Sequence, residues 1–190
     1  MINIEKLSKA IYVLSKKNFT VEIEDGTEIH LSFKPSNFYH LIGLQHLTDI
    51  PAVINAKNKG GLVKQLLKDD KLVKQVEKSA FFNSIRPRIE TIDKLVEMLV
   101  SDRCEIIIDF DATILEATKL RSKYLLYKSE DNTTYFMLGI AQNQEGIYYP
   151  ETYIVEPSKY YVSKQKILNC IISYEEFNSK AAYRRKVAKH

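Results

Sequence analysis

The chain has 190 residues, 45% of them hydrophobic and 27% charged, with a formal net charge of +4. That balance belongs to a folded protein of one domain; it excludes a disordered or collagen-like chain, and no apolar run is long enough to span a membrane. Two cysteines, Cys104 and Cys170, lie far apart in apolar runs, which suits buried thiols better than a disulfide framework or a metal knuckle.

The first segment, MINIEKLSKAIYVLSKK, is interrupted by lysines and lacks the unbroken apolar stretch of a secretory signal, so a cytoplasmic protein with no membrane partner is expected. Ile4, Leu7, Ala10, Ile11 and Leu14 recur at helical spacing, and the pattern predicts an amphipathic helix over residues 2–17. TVEIEDGTEIHLSF then alternates apolar and polar residues about Asp25-Gly26, which predicts a β-hairpin. Pro35 ends the strand, Ser36 or Asn37 is placed to cap a short helix, and that helix runs to Asp49-Ile50-Pro51. Residues 52–101 read as mostly helical, broken at Gly60-Gly61, with a fresh helix from about Arg88 carrying the stripe Ile89, Ile92, Leu95, Val96 and Leu99.

After residue 101 the character changes. CEIIIDF, SKYLLYK, TTYFMLGIAQ, GIYYPETYIV and KILNCIIS are short β-branched or aromatic runs separated by turn-forming SEDN, QNQEG and EPSK. The expected fold is therefore α+β: N-terminal helices and a β-hairpin packed on a C-terminal antiparallel sheet of four to five strands. We take residues 1–176 as one domain and residues 177–190 as a basic tail or short helix. Basic residues are concentrated at that end, where NSKAAYRRKVAKH holds five Lys or Arg, Arg184 and Arg185 among them, and no acid. Such a segment either meets phosphates or is a solvated terminus. Tyr161, among the tyrosines near the last strands, either stacks on bases beside Lys164 and Lys166 or packs with its hydroxyl at the surface.

The strand EIIIDFDATIL ends in Asp-x-Asp-x-Thr, the nucleophile motif of haloacid-dehalogenase-like phosphatases, in which Asp109 attacks phosphorus, Asp111 is the acid/base and Mg²⁺ binds both. That chemistry needs a parallel sheet with helical crossovers, and the segments between these strands are too short for them, so it is a remote alternative. No glycine-rich phosphate loop is present, His40 and His46 do not have zinc-motif spacing, and neither cofactor nor metal is expected. On a helical wheel carried through residues 36–49, His40 falls between Leu44 and Leu47 on the apolar edge, and His46 falls beside Tyr39 on the polar side. His40 is then either a proton-transfer group in a helix-to-sheet cleft or a core histidine bonded to a backbone carbonyl.

FYHLIGLQHLTDI, DFDATILEATKLRSKYLLYK and GIYYPETYIVEPSKYYVSKQKILNC, in this order, together resemble the phage-associated nuclease-like domains of the barnase, EndoU, colicin E5/D and RelE class, in their fourth phage-type group (PBECR4-like). The resemblance covers nearly the whole chain and centres on Phe-x-His-Leu-x-Gly-Leu at Phe38–Leu44. It implies metal-independent cleavage of RNA, tRNA or mRNA among others, by attack of the ribose 2′-hydroxyl. Carried to this chain, it makes His40 the acid or base and Lys123 and Thr152 phosphate contacts, and a protein inhibitor or antitoxin becomes a possible partner. The same fold class includes members that bind without cutting, so a binding protein of a phage or mobile element is the alternative.

Overall fold

Helix α1 (Ile4–Ser15) buries Leu7, Ala10, Ile11 and Leu14, the stripe its spacing dictates, and Asn3 caps it by accepting from the Lys6 amide. The computed structural model describes residues 1–100, 105–129 and 133–177. Cys104 and the basic segment with Arg184 and Arg185 lie outside the described residues. Strands β1 (Lys17–Ile23) and β2 (Glu28–Ser32) form the hairpin, turning at Gly26 with φ +87°. Six helices follow: α2 (Pro35–Leu41), α3 (Pro51–Ile54), α4 (Lys59–Leu66), α5 (Asp70–Lys78), α6 (Phe82–Glu90) and α7 (Ile92–Val100). Strands β3 (Glu105–Asp109), β4 (Tyr124–Ser129), β5 (Tyr135–Gln142), β6 (Tyr148–Glu156) and β7 (Lys166–Glu176) come next, and 3₁₀ turns lie at Leu44–His46 and Ala112–Ile114.

The sheet has seven strands in the order β2-β1-β7-β3-β4-β5-β6, all neighbours antiparallel. The expectation of four to five strands with a separate hairpin is corrected by one pairing. Strand β7 is 11 residues long and lies between the two units, pairing along one edge with β3 at Lys166–Cys170 and along the other with β1 from Lys17↔Glu176 to Ile23↔Cys170. The edge strands β2 and β6 approach each other, so the sheet curls.

One core fills the space between the helices and a face of this sheet, from Leu7 and Phe19 through Phe38, Leu95 and Leu138 to Tyr153. A smaller cluster of Ile108, Phe110, Leu125, Tyr135, Met137 and Ile154 lies on the opposite face. Strand β5 is therefore buried on both sides, which explains its unbroken apolar run. Each fully buried Leu or Ile contributes about 1.5–3 kcal/mol. Phe38, Leu41, Ile42 and Leu44, all at 0–1% exposure, can thus hold a seven-residue helix that would not persist alone.

Further expectations change. The cap of α2 is Lys34, two positions before Ser36 and three before Asn37, with Pro35 in the first turn and Asn37 Oδ1 accepting from the Lys34 amide at 2.8 Å. Gly60 and Gly61 open α4 instead of breaking a helix, and Pro87 sits inside α6, with the break at Thr91. Finally, β3 lies between antiparallel partners, so Asp109 does not end a parallel strand and the phosphatase expectation loses its scaffold. Asp109 lies 4.0 Å from Lys166, and Asp111 accepts from the Thr113 amide and hydroxyl at 2.8 and 2.7 Å, closing a turn.

Candidate active site

Helix α2 stops one residue after His40. The amide of Gly43 bonds back to the His40 carbonyl, Gly43 takes φ +82°, and the chain then makes a 3₁₀ turn over Leu44–His46. A side chain at position 43 is excluded twice, by that backbone conformation and by Ile85 Cγ2 of α6, which would lie 2.8 Å from its Cβ. The wheel therefore ends at Leu41, and the position it assigns to His46, away from His40, does not apply. Gln45 spans the two histidines, with Nε2 at 3.5 Å from the His40 carbonyl oxygen and 3.2 Å from His46 Nε2, and the two rings are close enough for the charge on His46 to act on His40.

Helix α4 brings a lysine to the same place. The Cβ-less face of Gly60 rests on Pro35 and Ser36, where an added Cβ would be 3.2 Å from each, and this close approach sets the first turn of α4 against the first turn of α2. Lys59 Nζ lies 3.1 Å from His40 Nε2 and 5.3 Å from the centre of the Tyr39 ring, which itself meets the His40 ring edge-on. An ammonium can only donate, so His40 Nε2 accepts and the imidazole is neutral in this contact. Burial, then Lys59, then His46 hold the His40 pKa below the ordinary histidine value of 6.5. Among the described residues, no backbone carbonyl accepts from the His40 ring.

Helix α6 supplies the third cation. Arg88 passes beside Gly43 and reaches edge strand β6, where Nη1 donates to Thr152 Oγ1 at 3.4 Å. The guanidinium is half-buried, and burial pulls its pKa down while Tyr161 and Glu156 counter that pull. No carboxylate of the described residues comes within ion-pair distance of it. Its charge in turn, after burial, depresses the pKa of His46. The structure thus places His40, His46, Lys59 and Arg88 in one continuous row, with Thr152 at its end and Tyr161 near Arg88.

The other residues singled out from sequence lie apart from this row. Lys123 is exposed beside β4, with Nζ 3.4 Å from the Tyr148 hydroxyl and 5.4 Å from the centre of the Tyr124 ring. Lys164 is exposed with φ +61°, and Lys166 faces Asp109. Sequence reasoning set His46 aside and passed over Lys59 and Arg88. Arg88 had a signal: three residues after Ile85 and four before Ile92, both fully buried, it interrupts an apolar stripe with a cation. Lys59 had none, since its neighbour is 19 positions away.

Among the described residues, no helix is long and apolar enough to cross a membrane. No curated protein and no solved structure matches the chain. A family model described as phage-Barnase-EndoU-ColicinE5/D-RelE like nuclease4 matches residues 4–184, which takes in every element that builds the row and nearly the whole chain. The chain therefore belongs to this family of phage-type nuclease-like domains.

Proposed function

We propose that the protein is a metal-independent RNA endonuclease that cleaves by 2′-hydroxyl transesterification, with the scissile phosphate held at Arg88. The observation that carries this reading is the half-buried Arg88 guanidinium, which has no carboxylate partner among the described residues and stands beside His46 and Thr152. A partly desolvated cation without a counterion is costly, and a phosphate oxyanion is the group that would complete it. Arg88 and Thr152 bind the phosphate. Neutral His40 takes the proton from the 2′-hydroxyl through Nε2, the O2′–P bond forms, the P–O5′ bond breaks, and protonated His46 gives its proton to the departing O5′. The products are a 2′,3′-cyclic phosphate and a 5′-hydroxyl. The charge of the bound phosphate offsets Arg88 and favours the imidazolium of His46 at the moment it is needed.

The phage-type family membership supports a role as a toxin or as an effector of a phage or mobile element, acting on cytoplasmic tRNA or mRNA. Incubation of the purified protein with total RNA in excess chelator tests the activity. Cleavage is expected, with loss in His40→Ala and in Arg88→Ala proteins that retain the wild-type melting temperature. Tight RNA binding without any cut would move the reading to a non-catalytic binding protein.

A further inference from the structure

The nitrogen that His40 needs for proton abstraction is already in use in the free protein. Lys59 Nζ sits 3.1 Å from His40 Nε2, so the lone pair that must accept the 2′-hydroxyl proton is accepting from an ammonium instead. Nothing else secures this lysine: its side chain is exposed, its remaining contact is the face of Tyr39 at 5.3 Å, and no carboxylate of the described residues pairs with it. It sits in the first turn of α4, whose first turn packs on α2 through Gly60, so its backbone is fixed while its four-carbon stem is free to swing.

We propose that Lys59 is a removable cap on the base, donating to His40 Nε2 in the free protein and leaving it only when a phosphate anion of the bound strand takes the ammonium. The idea rests on the ribonuclease reading of the site. Its consequence is that one cation serves twice, keeping His40 neutral and unreactive before substrate arrives and binding phosphate afterwards. The charged or titratable groups that face His40 are Lys59 from α4, His46 from the 3₁₀ turn and Tyr39 on its own helix, and Arg88 from α6 acts at one remove through His46. Lys59 acts on His40, whereas burial and Arg88 set His46, so the two histidines respond differently to loss of the lysine.

That difference supplies the experiment. The imidazole titrations of wild-type, Lys59→Met and Lys59→Arg proteins are followed by NMR, first alone and then with inorganic phosphate as the probe. In Lys59→Met the His40 midpoint should rise by about half a unit or more toward the ordinary value, the His46 midpoint should stay in place, and Lys59→Arg should resemble wild type. Phosphate should raise the wild-type His40 midpoint at concentrations several-fold lower than it does in Lys59→Met. Unchanged His40 titration in Lys59→Met, equal movement of both histidines, or equal phosphate affinity with and without the lysine would each overturn the cap. These readouts need no cleavage. A wild-type protein that cuts RNA while His40 ignores Lys59 defeats the cap and leaves the ribonuclease reading intact, and a coupled His40 in a protein that never cuts does the reverse.

Discussion

Lys59 and Lys123 are both exposed lysines lying over a tyrosine ring, at 5.3 and 5.4 Å from its centre, and they end in opposite surroundings. Lys59 donates to a half-buried imidazole in a row that contains a second imidazole and a guanidinium with no carboxylate of the described residues at ion-pair distance. Lys123 donates to the phenol of Tyr148, and that bond, more than any other influence, raises its pKa. The first environment makes a charge expensive to keep and able to perturb its neighbours; the second stabilises a charge that water already solvates. Chemistry is expected where polar groups from several elements converge under partial desolvation, and only modest binding where each cation has a local partner.

The largest effect that separates the two regions is on cleavage. His40→Ala and His46→Ala should each lower kcat/KM on RNA by about 10²–10⁴-fold, with melting temperatures close to wild type because both rings are only partly covered. A fully active His46→Ala protein would leave His40 without its partner and return the site to the single-histidine reading. Arg88→Ala should follow, at about 10²–10³-fold, and Arg88→Lys should recover only part of the loss because an ammonium lacks the planar fork that matches a phosphate. Should Lys123→Ala cost as much as Arg88→Ala, the contrast between the regions fails.

The pH dependence is the next test. In the proposed mechanism the productive form carries neutral His40 and protonated His46, and both pKa values are depressed below 6.5, so kcat/KM should peak below that pH and fall about tenfold per unit above it. Stability runs the other way. Both histidines resist protonation in the folded protein, so the stability they contribute is fully present above about pH 6.5 and is lost as the pH falls through their folded values. Melting temperature measured against pH should therefore drop on the acid side, and less steeply in His40→Ala.

Gly43→Ala probes the backbone that gathers the row. The positive φ and the 2.8 Å approach to Ile85 should together cost about 2 kcal/mol or more, roughly 4–8 °C in Tm, and displacement of the 3₁₀ turn should lower kcat at temperatures where the protein is still folded. A stable, fully active Gly43→Ala protein would show that the placement of His46 is unimportant. The smallest effect is expected at the solvated cations: Lys166→Ala should leave kcat unchanged and reduce only the salt dependence of RNA binding, by about one unit of slope if it meets a phosphate.

The amino-acid sequence by itself determined the strands, the hairpin at Asp25-Gly26, the inward face of α1 and the α+β class, because alternation and helical spacing record which side of each segment leaves water. It also singled out His40, and the family resemblance added Thr152, although as separate residues. What only the tertiary structure decided is adjacency. Lys59 meets His40 across 19 positions and Arg88 meets Thr152 across 64, and no local pattern encodes which exposed cation a distant helix will deliver to which strand. The same holds for β1 beside β7, where alternation shows the buried face of each strand but not its partner. His46 is exposed, as the wheel had it, but its relation to His40 was misjudged for a smaller reason. A wheel assumes one unbroken helix, and a single glycine at φ +82°, pressed against Ile85, turned the chain back toward His40.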